Sequence, residues 1–322
     1  MGTIYSAGYE AGTPKTYSTL TAAIAVCDDD SEDHVAAWEG DAYGSPVFRE
    51  LFYTTKHIGL LGMLGYQRVI LNGVTASNGS ALLLDQGESA KTGTVSIKNI
   101  TVAGAHSDNS RAITYTNTAA GNTGKVIVER CVVVGCGFGV LVGSYAQADV
   151  RYCAAYTCGV GFRASSSDIA VRFANCSALA CENGFAGVST YAFSYNCVSF
   201  GSRLADFSGL WAVGTNYNRS GDSTVIGASS SGSHTWEELK FAMRGTALDN
   251  RLYGYTAFDA RPTVGSILIG TGNAVAGLTD TTDIDGQGIT TQPIGCSVGV
   301  VAFPTPRIMS QYDRVGGSEL TI

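Results

Sequence analysis

Charge is the scarcest commodity in this 322-residue chain. Only 15% of residues are charged, against about 25% in an ordinary globular protein, which excludes a coiled coil built on Glu, Lys and Arg. Lysine is rarest within that minority. Six occur (Lys15, Lys56, Lys91, Lys98, Lys125 and Lys240), and none lies between 126 and 239. With a net charge of −7, such a chain is poorly suited to tracking a phosphate backbone, so nucleic acid is not an expected partner. Long apolar runs are also missing. Stretches such as Cys131–Val134 and Val298–Phe303 fall far short of the roughly 18 residues of a membrane span, so no membrane partner is expected. The opening residues Met1 to Gly8 lack a basic segment followed by an apolar one, so Sec export is not expected. Proline (6) and methionine (4) are few.

What is abundant is glycine (41), tyrosine (16) and a 45% hydrophobic fraction. That fraction excludes disorder, and the composition favours strands joined by tight turns. Nine cysteines are present, seven of them within 131–197. An odd total argues against a fully paired disulfide set.

The cysteines mark a repeat. Cys131, Cys153, Cys176 and Cys197 are 22, 23 and 21 residues apart, and Cys136, Cys158 and Cys181 are 22 and 23 apart. The second set continues as Cys-x-x-Gly-hydrophobe, ending Gly139-Val140, Gly161-Phe162 and Gly184-Phe185. Short alternating runs precede the first set: Val126-Ile-Val128, Val171-Arg-Phe173 and Tyr191-Ala-Phe193. Upstream, Val95 to Gly104 aligns with Val126 to Gly135 at a shift of 31, the surplus being a loop at 116–124. A period near 22 without a Leu/Asn ladder excludes leucine-rich repeats and predicts a parallel β-helix, in which like residues stack from coil to coil. The fold class expected is therefore all-β, a right-handed parallel β-helix of about a dozen coils, roughly 50–60 Å long at ~4.8 Å per coil. Residues 17–27 read as an amphipathic capping helix with Ser18 or Thr19 as N-cap. Residues 17–303 form the β-helix domain, flanked by an N-terminal arm (1–16) and a C-terminal arm (304–322). The arms carry apolar anchors suited to docking on a neighbour, with frayed tails as the alternative.

The early helix, the strand ending in Gly40-Asp41-Ala42-Tyr43, the coils carrying Asn175-Cys176, Asn196-Cys197 and Gly161-Phe162, and the closing Gly265-Ser-Ile-Leu-Ile-Gly270 and Pro293-Ile-Gly-Cys-Ser-Val together resemble the pectate-lyase-like right-handed parallel β-helix superfamily. The resemblance implies architecture more than activity, because this fold hosts lyases, hydrolases, epimerases, tailspikes and inert structural proteins.

The cysteine columns Cys131, Cys153, Cys176, Cys197 and Cys136, Cys158, Cys181 are expected to be a core ladder of free thiols. The pairs read Cys-x4-Cys, at the wide end of the spacing that structural zinc uses, and no His lies between 107 and 233 to complete such a site. Free thiols suit a reducing compartment. Glycosidic hydrolysis needs two converging carboxylates, but Glu129, Asp149, Asp168, Glu182 and Asp206 do not share a register. The paired aspartates of polygalacturonase-like members are missing. Arg130, Arg151 and Arg172 precede successive cysteines and form an outward basic stripe, either solubilising or, through the planar guanidinium, recognising carboxylates of an acidic sugar or protein. Asp280, Asp283 and Asp285 suggest a calcium loop but depart from the EF-hand spacing, so no metal or cofactor is expected. The four histidines (His34, His57, His106, His234) read as structural or solvent-facing. Residues 221–235 form a low-complexity loop before a helical turn at 236–241 capped by Thr235; the loop reads as a lid, a partner loop or a plain insertion.

These features favour a non-catalytic structural or recognition protein of a tailed-phage virion, as a decoration, spike or tailspike-like component. It would partner itself, a capsid or tail protein, or an acidic polysaccharide. The alternatives are a polysaccharide lyase using an Arg base, and a bacterial carbohydrate-binding protein that is secreted or displayed at the cell surface.

Overall fold

The structure is a computed structural model. It describes residues 2–239 except 11, 30–31, 41–46, 49, 64–68, 73–79, 86–89, 104–109, 120, 166–168 and 228, and beyond them residues 266–268, 271–275, 278, 289 and 293–295. The C-terminal arm, Asp168, the calcium-loop residues Asp280, Asp283 and Asp285, and Cys296 lie outside the described residues.

The alternating runs and turn glycines build three parallel sheets between which the chain cycles, a parallel β-solenoid. The first sheet contains Ile4–Ala7, His34–Ala37, Gly59–Gly62, Thr94–Lys98, Lys125–Glu129, Gln147–Arg151, Val171–Ala174 and Ala192–Tyr195. The second runs from Val47–Phe48 to Arg219–Ser220 through three-residue strands such as Val132–Val134, Ala154–Tyr156 and Ser177–Leu179. The third runs from Phe52–Thr54 to Ala205–Leu210 and includes Phe138–Val142, Val160–Ala164 and Asn183–Val188. The register follows the repeat: Val95 pairs with Val126, and Ile97 with Val128. One run slips by a residue. Phe193 pairs with Arg172 on the outer side, and Ser194 takes the inward place beside Phe173.

The coils that carry the cysteines turn twice on a left-handed residue. Asn99, Arg130, Tyr152, Asn175 and Asn196 (φ 51 to 57°) end first-sheet strands, and Tyr217 (φ 57°) follows the bridge of Asn216 to Tyr195. Gly135, Thr157, Ala180 and Gly201 (φ 49 to 72°) end the second-sheet strands. Asparagine and glycine tolerate this conformation, whereas Arg130, Tyr152 and Thr157 hold it at a cost of roughly 1–2 kcal/mol each. That cost is offset by the inward seat it gives the next residue. At the first corner that residue is Ile100, Cys131, Cys153, Cys176, Cys197 or Asn218, all fully or nearly fully buried.

Inside, like stacks on like. Phe162, Phe185 and Phe207 form a column with ring centroids 4.9 Å apart and planes within 13°, which is the strand spacing repeated in side chains. Phe173 meets Phe162 and Phe185 edge-on, and Trp211 meets Phe173 and Phe207 in the same way.

Both ends are closed by specific contacts. The helix predicted over 17–27 spans Leu20–Val26, with Thr19 as N-cap accepting from Ala22 N at 3.1 Å. The Glu50 carboxylate accepts from the amides of Leu20 and Thr21. The Lys56 ammonium donates to the carbonyls of Ile24, Ala25 and Cys27, so the coil beneath satisfies both helix termini. Residues read as an N-terminal arm take part as well, since Ile4–Ala7 pairs in parallel with His34–Ala37. At the other end the inward column turns polar. Ser199 and Ser220 follow Ala178 in register, and Asp206, 1% exposed, accepts from both hydroxyls and from the amides of Gly221 and Asp222.

Among the described residues the sheets hold at most eight strands, roughly 34 Å of stack. Past Arg219–Ser220, the described residues Leu239, Leu268 and Ile294 pack on the outer face of the second sheet against Val132, Val134, Tyr152, Tyr156, Leu179 and Val198. The corner asparagines hold this cover. Asn175 Nδ2 donates to Pro293 O (2.7 Å), Asn196 Nδ2 donates to Asn273 O (2.7 Å), and Asn196 Oδ1 accepts from Asn273 N (2.9 Å). The second sheet is therefore buried on both faces, which is why its strands read Val-Val-Val and Ala-Ala-Tyr without alternation.

Two outcomes test this packing. Phe185→Ala, which opens the aromatic column, should cost about 3–5 kcal/mol in denaturant unfolding; a loss below about 1 kcal/mol would contradict a stacked interior. The second concerns acid. Burial works to raise the Asp222 carboxyl, but donors from Thr224 and Ser220 outweigh it and hold the carboxyl below the usual carboxylate range. A carboxyl lowered in the folded state stabilises fully above its unfolded value of about 3.9, and that contribution fades as pH falls through the folded value. Thermal unfolding at pH 7 and pH 3 should therefore show a smaller acid-induced drop for Asp222→Asn than for the natural chain.

Candidate functional site

Charged residues concentrate on the outer face of the first sheet, and the register decides which of them meet. Glu129 lies between Lys98 and Arg151 on neighbouring rungs, and Asp149 lies beside Arg172. Glu129 is fully buried. Its Oε2 accepts from Arg151 Nη2 (2.9 Å) and Nε (3.2 Å) and lies 3.1 Å from Lys98 Nζ. Its Oε1 lies 2.8 Å from Arg130 Nη1. Asp149, also buried, takes a two-pronged bond from Arg172 (Nε to Oδ1 2.6 Å, Nη2 to Oδ2 2.7 Å) and an ion pair from Lys125. Five cations thus surround two carboxylates, leaving this group an excess of three positive charges within an acidic chain.

The three arginines predicted as an outward stripe are brought together here. Arg130 and Arg151 converge on Glu129, and Arg172 sits on Asp149. Their guanidiniums are turned first toward carboxylates of their own chain. A two-pronged Arg–carboxylate pair is rigid as well as strong, so the face is a fixed electrostatic surface rather than a fringe of mobile charges. Beyond Arg172 the next rung carries Phe193 and Tyr195, stacked at 6.0 Å and 13°. The face therefore passes from cationic to aromatic along the stack. Glu129 and Asp149 occupy different registers and do not converge as a carboxylate pair. Each instead meets a cation at its own register one coil later, Glu129 with Arg151 and Asp149 with Arg172, a signal visible only after alignment by coil.

The cysteine ladder is present as expected. All seven members, and Cys27, are buried free thiols. A common local bond accompanies them. Each Sγ reaches the carbonyl two residues back, at 3.3 Å for Cys131, Cys153, Cys176 and Cys197 and at 3.4 to 3.6 Å for Cys136, Cys158 and Cys181. In these corners cysteine supplies a small inward side chain and a weak donor for the corner carbonyl. Burial pushes the thiols of Cys131 and Cys176 well up, and pushes Cys27 up to about 11. These thiols are packing elements rather than exposed nucleophiles.

The remaining candidates separate. Glu182 pairs with Arg203 at the exposed surface. His34 links coils, with Nδ1 on Glu32 O (2.7 Å) and Nε2 accepting from Ser96 N (3.1 Å). His57 is buried against Tyr115, and His106 lies outside the described residues. His234 differs: it lies between Ser231 and Glu238. Among the described residues, no three His, Cys, Asp or Glu side chains come together as a metal site, and no helix is long and apolar enough to cross a membrane.

Two measurements follow. Glu129→Gln should destabilise the fold by about 3 kcal/mol, because it strips a buried carboxylate from its cations, whereas Glu182→Gln at its exposed pair should cost almost nothing. Equal losses would show that the buried ladder holds nothing together. Thiol titration should find the native chain unreactive and at least eight of nine thiols free after denaturation without reductant.

Comparison of the chain with protein families, with curated proteins and with solved structures finds no match.

Proposed function

We propose that the solenoid body is a non-catalytic structural and recognition element, a rigid rod that presents fixed charge and aromatic groups to a partner. The observation that carries this reading is the ion-pair ladder. Glu129 and Asp149 present their oxygens to cations of their own chain, whereas a general acid or base must face the substrate proton it transfers. A positively biased, preorganised face with two stacked aromatic rings suits an acidic polysaccharide or an acidic protein surface, with Arg130, Arg151 and Arg172 as its cationic side.

Membership of the pectate-lyase-like superfamily, and within it a place on a tailed-phage particle as a decoration or spike protein, is the setting we favour. The buried free thiols support folding in a reducing cytoplasm before assembly. Exposed apolar residues near one end of the stack support association. Val188 and Leu210 are cross-strand neighbours, and Leu210 and Val213 are 63% and 99% exposed, where a second copy or a shell protein would cover them. A lyase acting on acidic polysaccharide is the second reading, favoured by the same cationic face.

The two readings separate on incubation with a panel of acidic polysaccharides. The structural reading expects retention on an acidic polymer or co-sedimentation with phage particles, without unsaturated products. Release of unsaturated uronates, abolished by Arg172→Gln, would overturn it in favour of the lyase. For association, Leu210→Glu combined with Val213→Glu should leave the unfolding midpoint unchanged and reduce the mass in solution or the attachment to particles. Unchanged mass and attachment would remove this patch from the contact.

A further inference from the structure

The loop before the second helix brings together three side chains that the ladder face does not involve. Ser231 Oγ lies 2.7 Å from His234 Nε2, and His234 Nδ1 lies 3.4 Å from Glu238 Oε2. A carboxylate only accepts, so the imidazole proton belongs on Nδ1, facing Glu238. Nε2 is then the acceptor for the Ser231 hydroxyl. The backbone sets this order. Ser231 N donates to Asn218 O (3.1 Å), Ser231 O accepts from Ser220 N (3.2 Å), and His234 N donates to Ser220 O (3.0 Å), so serine and histidine are both pinned to the last rung. Glu238 belongs to the helix Trp236–Leu239 and is held from the other side by Thr235 N at 2.9 Å.

Two further features match acyl transfer. The residue after the serine is Gly232, where a Cβ would sit 2.4 Å from Asp222 O, so the close approach of the loop requires glycine. Its N–H has no hydrogen-bond partner among the described residues, and the amide following a nucleophilic serine is a common oxyanion donor. Arg219 is the bridge partner of Ser231. Its Nη1 serves the carbonyls of Asn218 and Ser229, while Nε and Nη2 have no partner among the described residues.

We infer that Ser231, His234 and Glu238 form a serine-hydrolase-type site at the end of the rod, acting on a carboxylic ester that carries an anionic group. Ser231 Oγ attacks the ester carbonyl carbon as His234 Nε2 takes its proton, and Gly232 N–H faces the resulting oxyanion. Collapse breaks the acyl–oxygen bond, and the alcohol leaves with the proton from His234. Water then attacks the acyl-serine, giving its proton to His234. The second collapse returns that proton to Ser231 Oγ and releases the carboxylic acid. Glu238 is a positioning residue that holds the imidazole tautomer, and Arg219 receives the anionic substituent. This activity would be additional to the recognition role of the body and does not depend on it.

The test uses the full chain and a fluorophosphonate probe, with the modified peptide identified by mass spectrometry. Ser229, Ser230 and Ser233 in the same loop are internal references. Labelling confined to Ser231, and slowed about 10³-fold by His234→Ala, is the expected result. Reaction no faster at Ser231 than at its neighbours, read on the unmodified chain, would overturn the assignment whether or not any variant folds. With a nitrophenyl ester as substrate, Glu238→Gln should lower kcat at least tenfold with KM unchanged, and an equal kcat would remove Glu238 from the site. An anionic ester should be preferred over a neutral one, and Arg219→Gln should erase the preference; no preference in the natural chain would overturn the role of Arg219.

Discussion

Every coil of this molecule must repeat the last at the ~4.8 Å spacing of hydrogen-bonded strands, and the two left-handed corners make that possible. A corner of this kind reverses the chain within one residue but crowds the next side chain inward beneath its predecessor. Ile100 fills that seat in one coil and cysteine fills it in the four that follow. Cysteine fits by volume, and its thiol reaches the corner carbonyl two residues back in all seven cases. When the column reaches Asn218, the seat is filled by an amide that bonds Ser194 Oγ and Cys197 N. The stack thus ends in a polar plug rather than an open edge.

The same repetition governs the outside. Parallel in-register strands place each residue directly over its counterpart, so like charges would repel along a column. The chain avoids this by alternating sign between rungs: Lys98, Glu129, Arg151 in one column, and Asp149 beneath Arg172 in the next. Because Glu129 and Asp149 are buried beneath the long side chains that pair with them, the network is screened less by salt than ordinary surface pairs. The second sheet meets a different demand. Its outer face is apolar and is covered by Leu239, Leu268 and Ile294, so these residues stabilise coils already made.

Much of this is legible in the residues. The 22-residue period, the inward cysteines, the Thr19 cap and the loop at 116–124 are local or periodic signals, and each corresponds to a feature of the fold. Legibility stops where the determinant is a relation between coils. That Ile4–Ala7 joins the first sheet depends on pairing with residues 30 positions away, and nothing in its own four residues marks it. The cover of the second sheet depends on contacts as distant as Asn175 with Pro293. The arginines were visible as a stripe, but their carboxylate partners emerge only once neighbouring rungs are aligned. Ser231, His234 and Glu238 are spaced by three and four residues across the end of a low-complexity loop and the helical turn after it, a spacing shared by many unremarkable segments. What sets them apart is that backbone bonds pin Ser231 and His234 to the last rung.

The central claim is that two columns of sulfur run through the interior in register. An anomalous difference map collected on crystals of the chain tests it most directly. The account predicts one row of four peaks, for Cys131, Cys153, Cys176 and Cys197, and a second row of three, for Cys136, Cys158 and Cys181. Within each row the peaks should be spaced at about 4.8 Å. Sulfur peaks scattered through the molecule, or fused in pairs at the ~2 Å separation of a disulfide, would contradict the stacked corners on which the rest of the structure depends.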